Sequence, residues 1–295
     1  MNGIKDMEWE EGEHLVILVT GADGQLGKEL TKKLAETFTV IGLGREEMDV
    51  SRKKDVDREI LKFKPTIIVH AAAFTEVDQC EIDYRTAFEV NGLGTGYVAQ
   101  AAEKVGARII YISTDYVFDG QKFSPYFEGD VPNPQSIYGM SKLLGERFVN
   151  LLNKGTVVRT SWLYGHEGNN FVKTMLELSK NNNEIKVVAD QIGTPTYVKD
   201  LVDTITKLLD KKAGIYHVSN SGSCSWYEFA RAIMTEAGFK PEMVRPITTE
   251  EYGALAPRPR YSVLANQALI NEKIKPLRTW NDALKEFIRE EKGHD

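Results

Sequence analysis

An apolar run that stops on a glycine and passes at once into a glycine-spaced loop leaves a chain few ways to fold. Residues 14–21 read HLVILVTG, short, rich in Val and Ile, and closed by Gly21. That is the composition of a strand buried on both faces of a parallel sheet. It continues as Gly21-Ala22-Asp23-Gly24-Gln25-Leu26-Gly27, a G-x-x-G-x-x-G loop, into GQLGKELTKKLAET, where Leu26, Leu30 and Leu34 recur at helical spacing. Glycines at such a corner let the backbone turn tightly, let a pyrophosphate approach it, and let the helix pack close on the strand. The helix start adds unpaired N–H groups and partial positive charge, which favour phosphate. Alone, the glycine pattern reads equally as an ordinary tight turn without a ligand or as a nucleotide loop. Between this strand and this helix it marks a dinucleotide site.

The alternation continues down the chain. FTVIGLG (38–44), PTIIVHAAA (65–73), RIIYIST (108–114) and GTVVRTSW (155–162) read as further strands. DREILKFK (57–64), one helix of about six turns over 84–105, and SIYGMSKLLGERFVNLL (136–152) lie between them. Strands and helices in this order predict an α/β fold, a Rossmann doubly wound parallel sheet over residues 14–165. Beyond Gly165 the pattern loosens into helices near 169–182, 199–212 and 225–238 and short strands near 185–191 and 214–221. Residues 166–295 are expected to form mainly a smaller C-terminal substrate-binding lobe, with segments returning to the first sheet. The opening MNGIKDMEWEEGEH is acidic and polar, unlike a signal peptide; residues 1–13 are expected to be a flexible tail.

Composition narrows the function. With 42% hydrophobic and 27% charged residues the chain has the make-up of an ordinary globular protein. A net charge of −6 lacks the basic footprint of a nucleic-acid binder. No apolar run approaches the roughly 20 residues of a membrane span. Cys80 and Cys224 stand far apart, outside any CxxC or CxxH pattern. They point to reduced thiols in a cytoplasmic protein, with neither a disulfide framework nor a metal site.

Two constellations carry chemistry. The first is the dinucleotide site. An acid at the end of the second strand would hold the ribose 2′-hydroxyl of NAD, but this chain has Gly44-Arg45 there, then Glu46, Glu47 and Asp49-Val50. Arg45 can accept a 2′-phosphate, which leans towards NADPH over NADH, and it can equally be a surface charge. Ala71, Ala72 and Ala73 end the third strand at the carboxyl edge, where small side chains would let a cofactor lie against the backbone. The second constellation is Thr114, Tyr138 and Lys142. Thr114 ends the fourth strand at the same edge, and Tyr138 and Lys142, four apart, lie one above the other on the next helix. The core stripe of that helix reads as Ile137, Met140, Leu144, Phe148 and Leu151, with Tyr138 and Lys142 beside it. Reducing a ketone requires a proton delivered to oxygen as charge develops there. A tyrosine with pKa about 10 holds its proton too tightly, and a neighbouring ammonium favours the phenolate. Thr114 can orient the carbonyl or the phenol.

These motifs resemble the extended short-chain dehydrogenase/reductases, and within them the dTDP-4-dehydrorhamnose reductases. The matching stretches include GADGQLGKEL, HAAAFTEVDQCE, YISTDYVFDG, SIYGMSKLLGE, RTSWLYGHEGNNFVKTM and RPRYSVL, and together they span nearly everything from His14 to the last helix. The resemblance implies reduction of dTDP-4-dehydro-β-L-rhamnose to dTDP-β-L-rhamnose. Tyr138 would be the proton donor and Lys142 its partner. Thr114 and Asp115 would contact the sugar, Trp162 would pack on it, and Arg258 would face its diphosphate or be a plain loop charge. Gly21, Gly24, Gln25, Leu26, Gly27, Asp49, Val50 and the three alanines would line the cofactor. Some members hold Mg²⁺ between subunits, for which this sequence offers no ligand cluster, and the resemblance leaves a homodimer open.

Rival readings remain at this level. A 4,6-dehydratase would carry an Asp-Glu pair after the threonine, whereas the run here is Thr114-Asp115-Tyr116. A 4-epimerase would be helped by an acid after the second strand. A nucleotide-binding regulatory subunit, like that of methionine adenosyltransferase, would not need Tyr138 and Lys142 intact. Arg45→Ala is expected to raise the KM for NADPH far more than that for NADH in steady-state assays, and equal effects would remove Arg45 from cofactor recognition.

Overall fold

A computed structural model describes residues 15–294; the tail over 1–13, His14 and Asp295 lie outside the described residues. Six strands form the central sheet: β1 Val16–Thr20, β2 Thr39–Leu43, β3 Ile67–His70, β4 Arg108–Thr114, β5 Gly155–Thr160 and β6 Gly214–His217. Their order is β6-β5-β4-β3-β1-β2, and every pairing is parallel. The larger helices are α1 Gln25–Leu34, α2 Lys53–Phe63, α3 Thr95–Val105, α4 Ile137–Val149, α5 Phe171–Asn181, α6 Val198–Leu208, α7 Trp226–Ala237 and α8 Trp280–His294. Among the described residues no helix is long and apolar enough to cross a membrane.

Alternate residues of each strand face opposite sides of the sheet, as a period of two requires. Ile17, Val19, Ile67, Val69 and Ile110 pack with Leu30 and Leu34 of α1 and Leu201 and Ile205 of α6. Leu18, Ile68, Ile109, Tyr111 and Val157 pack on the other side, with Val56 and Ile60 of α2 and Val98 and Ala102 of α3. This is the doubly wound arrangement expected from the sequence. A third core joins Val172 and Met175 of α5, Phe229 and Ile233 of α7, and Leu284 and Phe287 of α8.

The strand order reverses between β1 and β3, which opens the crevice where ligands of such sheets bind. A chain of hydrogen bonds ties its two sides together. Ala72 N–H donates to Thr20 Oγ1 (3.2 Å), Thr20 Oγ1 meets His70 Nδ1 (2.6 Å), His70 Nε2 meets Thr95 Oγ1 (3.0 Å), and Thr95 Oγ1 donates to the Asn91 carbonyl (2.7 Å). Each hydroxyl has one proton to give. Thr95 gives its proton to Asn91, so His70 donates from Nε2 and accepts at Nδ1. Burial holds His70 neutral, its pKa pulled down to about 3.

Two elements differ from expectation. The single helix expected over 84–105 is interrupted: a π-helical segment, Phe88–Gly94, separates a short turn, Tyr84–Ala87, from α3. In that wider turn Asn91 reaches inward, accepting from Phe74 N (2.8 Å) and donating to Phe74 O (3.0 Å) and Ser141 Oγ (3.0 Å). The α4 stripe is also rotated. Met140 and Leu151 are 41% and 80% exposed, whereas Gly139, Ser141, Lys142, Gly145 and Glu146 are buried. The reason is electrostatic and steric. Ser113, Arg159 and His217 form one row across β4, β5 and β6. Glu146 reaches down to accept from Ser113 Oγ (2.6 Å), Arg159 Nε (2.8 Å) and Arg159 Nη2 (2.7 Å). The absent side chain of Gly145 makes this approach feasible, since a Cβ there would lie 2.5 Å from the Tyr111 hydroxyl.

The Glu146–Arg159 pair is 1% exposed on both sides. Glu146→Ala would leave a buried guanidinium unpaired, and is expected to lower the unfolding free energy by about 3–5 kcal/mol in urea titrations. A loss below about 1 kcal/mol would show that water or a rearranged partner reaches Arg159.

Candidate active site

The carboxyl ends of β1, β3, β4 and β5 surround a cavity of about 440 Å³, lined among others by Gly21, Gly24, Gln25, Leu26, Gly27, Ala71 and Ala73 on one side and Thr114, Asp115, Tyr138, Lys142 and Trp162 on the other. The glycine loop is built by close approach. Gly21 takes φ +65°, and a Cβ on it would lie 2.7 Å from Ala72 Cα; one on Gly27 would overlap the Gly21 carbonyl. Gly24 caps α1 without a side-chain hydrogen bond, so among the described residues no N-cap side chain competes for the first N–H groups of that helix. These features fit a pyrophosphate. Val50 is buried in the core beside α2, and Asp49 accepts from Ser51 N (3.0 Å) and Oγ (2.7 Å). Arg45 is exposed and shares a separate depression with Asp23, Asp49 and Arg52.

On the other side, Lys142 is 3% exposed. Its Nζ donates to the Ile112 carbonyl (2.6 Å) and lies 4.3 Å from the centre of the Tyr111 ring. Burial pulls its pKa down to about 7, against the pull of Glu146 one turn further on. Tyr138 stands edge-on to Tyr116, ring centres 5.5 Å apart. The sequence led to the expectation of a phenol made more acidic by Lys142. In the structure the direction is the opposite. Burial pushes the Tyr138 phenol well above its ordinary value, the Thr114 hydroxyl draws it partly back, and Asp115 adds to the rise. The amine is occupied by a carbonyl, and the low-dielectric site disfavours both charges.

Asp115 is 2% exposed. Its Oδ1 accepts from Thr114 Oγ1 (3.0 Å), but Oδ2 is buried without a hydrogen-bond partner. Burial raises its pKa to about 6, opposed by the Ser262 and Thr114 hydroxyls. A buried carboxylate oxygen left without a donor is an acceptor waiting for one. Trp162 closes the far wall. It holds a left-handed backbone, φ +47°, secured by a parallel stack on Trp226 with ring centres 3.5 Å apart. Gly193 lies beneath it, where a Cβ would meet the indole at 2.5 Å. Arg258 does not line the cavity. It forks onto Asp78 with two 3.0 Å bonds, because Asp78 from the short helix Val77–Ile82 presents both oxygens to it. Sequence reasoning missed Trp226 and Tyr116 in the wall and Asn91 and Asp78 behind it. Of these only Tyr116, adjacent to Thr114-Asp115, carried a local signal. Among the described residues no group of three His, Cys, Asp or Glu side chains is placed to hold a metal ion.

A glycine-loop crevice facing Thr, Tyr and Lys at the carboxyl edge of a doubly wound sheet defines a short-chain dehydrogenase/reductase. The chain belongs to the RmlD substrate binding domain family, whose model matches residues 15–292. It is 49% identical over 276 residues to the spore coat polysaccharide biosynthesis protein SpsK of Bacillus subtilis, covering 93% of this chain and 97% of that one. It is 44% identical over 263 residues to the dTDP-4-dehydrorhamnose reductase of Aggregatibacter actinomycetemcomitans, covering 84% and 90%. The crystal structure of dTDP-4-dehydrorhamnose reductase from Bacillus anthracis in complex with NADP superposes with a TM-score of 0.92 at 46% identity, covering 94% of this chain and 100% of that one.

The unpartnered Asp115 oxygen has a stability cost. Asp115→Asn is expected to stabilise the protein without cofactor at pH 7 by about 3 kcal/mol, since burial raises the carboxyl pKa to about 6 and the charged form carries that cost. The sign follows from the raised folded pKa. Below the unfolded value the carboxyl is neutral in both states, and the advantage of Asn vanishes; it grows as pH rises to about 6 and is complete above it. Chemical denaturation of both proteins from pH 3 to 8 checks this, and a difference independent of pH would contradict it.

Proposed function

We propose that this chain is an NAD(P)H-dependent reductase of a dTDP-linked 4-keto-6-deoxy sugar, converting dTDP-4-dehydro-β-L-rhamnose to dTDP-β-L-rhamnose. The observation that carries the reading is the meeting of the glycine loop with Thr114, Tyr138 and Lys142 in one cavity. Relatives named dTDP-4-dehydrorhamnose reductase at 44% and 39% identity support the substrate.

In this reading Gly21, Gly24 and the start of α1 hold the pyrophosphate, and Ala71 to Ala73 form the floor beside it. A bound reduced dinucleotide would supply hydride to the C4 carbonyl carbon. As the carbonyl π electrons move onto oxygen, Tyr138 gives that oxygen its phenolic proton. Burial serves this step, because it keeps the phenol protonated until a charge appears that needs the proton. Lys142, poised near neutrality, becomes fully charged when anionic ligands enter, since opposite charge favours the ammonium. That ammonium then stabilises the phenolate left behind. Thr114 orients the reacting oxygen, Asp115 Oδ2 accepts a sugar hydroxyl, and the Trp162–Trp226 stack gives the sugar an apolar wall. Residues 166–295 act mainly as the substrate lobe, α7 contributing Trp226. A cytoplasmic setting belongs to the same proposal, and the two buried free thiols support it.

The test is oxidation of NADPH and NADH followed by nicotinamide absorbance, with dTDP-4-dehydrorhamnose generated by upstream enzymes and UDP- and GDP-linked keto sugars as comparators. Wild-type turnover is expected on the dTDP substrate. Tyr138→Phe should lose about 10²–10⁴ in kcat, and Lys142→Met should lose both rate and cofactor affinity. A Tyr138→Phe variant with near-full kcat would take the phenol out of the mechanism; no turnover by the wild type would favour a regulatory subunit.

A further inference from the structure

Gly44 ends the second strand region, at the place where an acid would mark an NAD site. By sequence that acid is missing. The structure shows a carboxylate there all the same. Gly44 is buried, and a Cβ built on it would overlap Oδ2 of Asp23. The carboxylate of the glycine loop therefore fills the volume into which a side chain at 44 would begin. The loop is fixed in that position by Ala22 N–H donating to the Leu43 carbonyl (3.1 Å) and Gly24 N–H to the Gly21 carbonyl (3.0 Å). Asp23 is exposed, and among the described residues no protein donor engages its carboxylate. Arg45, next along the chain, shares its depression.

We propose that Asp23 replaces the missing strand-end acid, accepting the adenosine ribose 2′-hydroxyl of NADH, while Arg45 attracts the 2′-phosphate of NADPH. The inference rests on the dinucleotide-reductase reading above and adds to it the residue that sets cofactor choice. The two groups pull in opposite directions. A carboxylate accepts a hydroxyl hydrogen bond strongly but repels a phosphate at the same site; a guanidinium does the reverse. One site with both admits either cofactor, and Asp23 is the group that restrains NADPH.

The test is equilibrium binding of NADH and of NADPH to the full chain without sugar, followed by nicotinamide fluorescence. Asp23→Asn keeps the shape and removes the charge. It is expected to weaken NADH about tenfold while NADPH binds as well as before or better. Asp23→Ala combined with Gly44→Asp returns the carboxylate to the strand, where the overlap no longer exists, and should recover NADH binding relative to Asp23→Ala. Glu46 lines the same depression, but the volume over Gly44 is filled by Asp23; Glu46→Gln removes that second charge and should move the NADH-to-NADPH ratio by less than about threefold. If Asp23→Asn alters both affinities equally, if Glu46→Gln shifts the ratio as far, or if the wild type binds NADPH alone, Asp23 is not the determinant. A wild type that binds neither dinucleotide would overturn the reductase reading itself, and this inference with it.

Discussion

The structure depends on a steric constraint: two backbones meet at the switch point with no room for a β-carbon between them. Gly21 lies against Ala72, and Gly27 lies against the Gly21 carbonyl. That closeness puts the end of β1, the end of β3 and the start of α1 around one point. The hydrogen-bonded line from Ala72 through Thr20, His70 and Thr95 then holds β1, β3 and α3 in register there. Everything chemical faces the space this junction leaves open.

The second organising element is α4, a helix that turns polar residues inward. Tyr138, Lys142 and Glu146 follow one another at intervals of four, so phenol, amine and carboxylate lie along one side of it. Glu146 anchors the helix to β4 and β5 through Ser113 and Arg159. Its negative charge opposes the fall in the Lys142 pKa. Burial is the larger influence on the amine, but the carboxylate that fixes the helix also tempers it one turn away, which links packing to chemistry through a single side chain.

Much of this was legible in the chain itself. The sheet strands were readable because parallel strands are continuous apolar runs, and the glycine loop because it joins such a strand directly to a helix. Thr114, Asp115, Tyr138, Lys142 and Trp162 do line one cavity. What failed to show was whatever depends on a tertiary partner. Hydrophobicity pointed to Met140 and Leu151 as core residues of α4, but buried Glu146 has Arg159 to meet it, and that pairing is invisible along a helix. The π-helical turn at Phe88–Gly94 depends on Asn91 finding Phe74 and Ser141. Arg258 reads along the chain as a loop charge, but Asp78, 180 positions away in sequence, pairs with two of its five N–H groups and turns it from the cavity wall. The carboxylate at the end of the second strand could not be read from position 44, because it arrives from the loop.

The near-neutral Lys142 amine reaches beyond the active site. An amine that is partly deprotonated when the cavity is empty, with a pKa of about 7, must draw hydrogen ions from the surrounding solution as anions settle beside it. Association is thereby coupled to the buffer: the heat released on mixing varies with the ionisation enthalpy of whichever buffer donates. On the alkaline side, where Lys142 no longer takes up that hydrogen ion, dinucleotide is expected to grip less firmly as pH climbs.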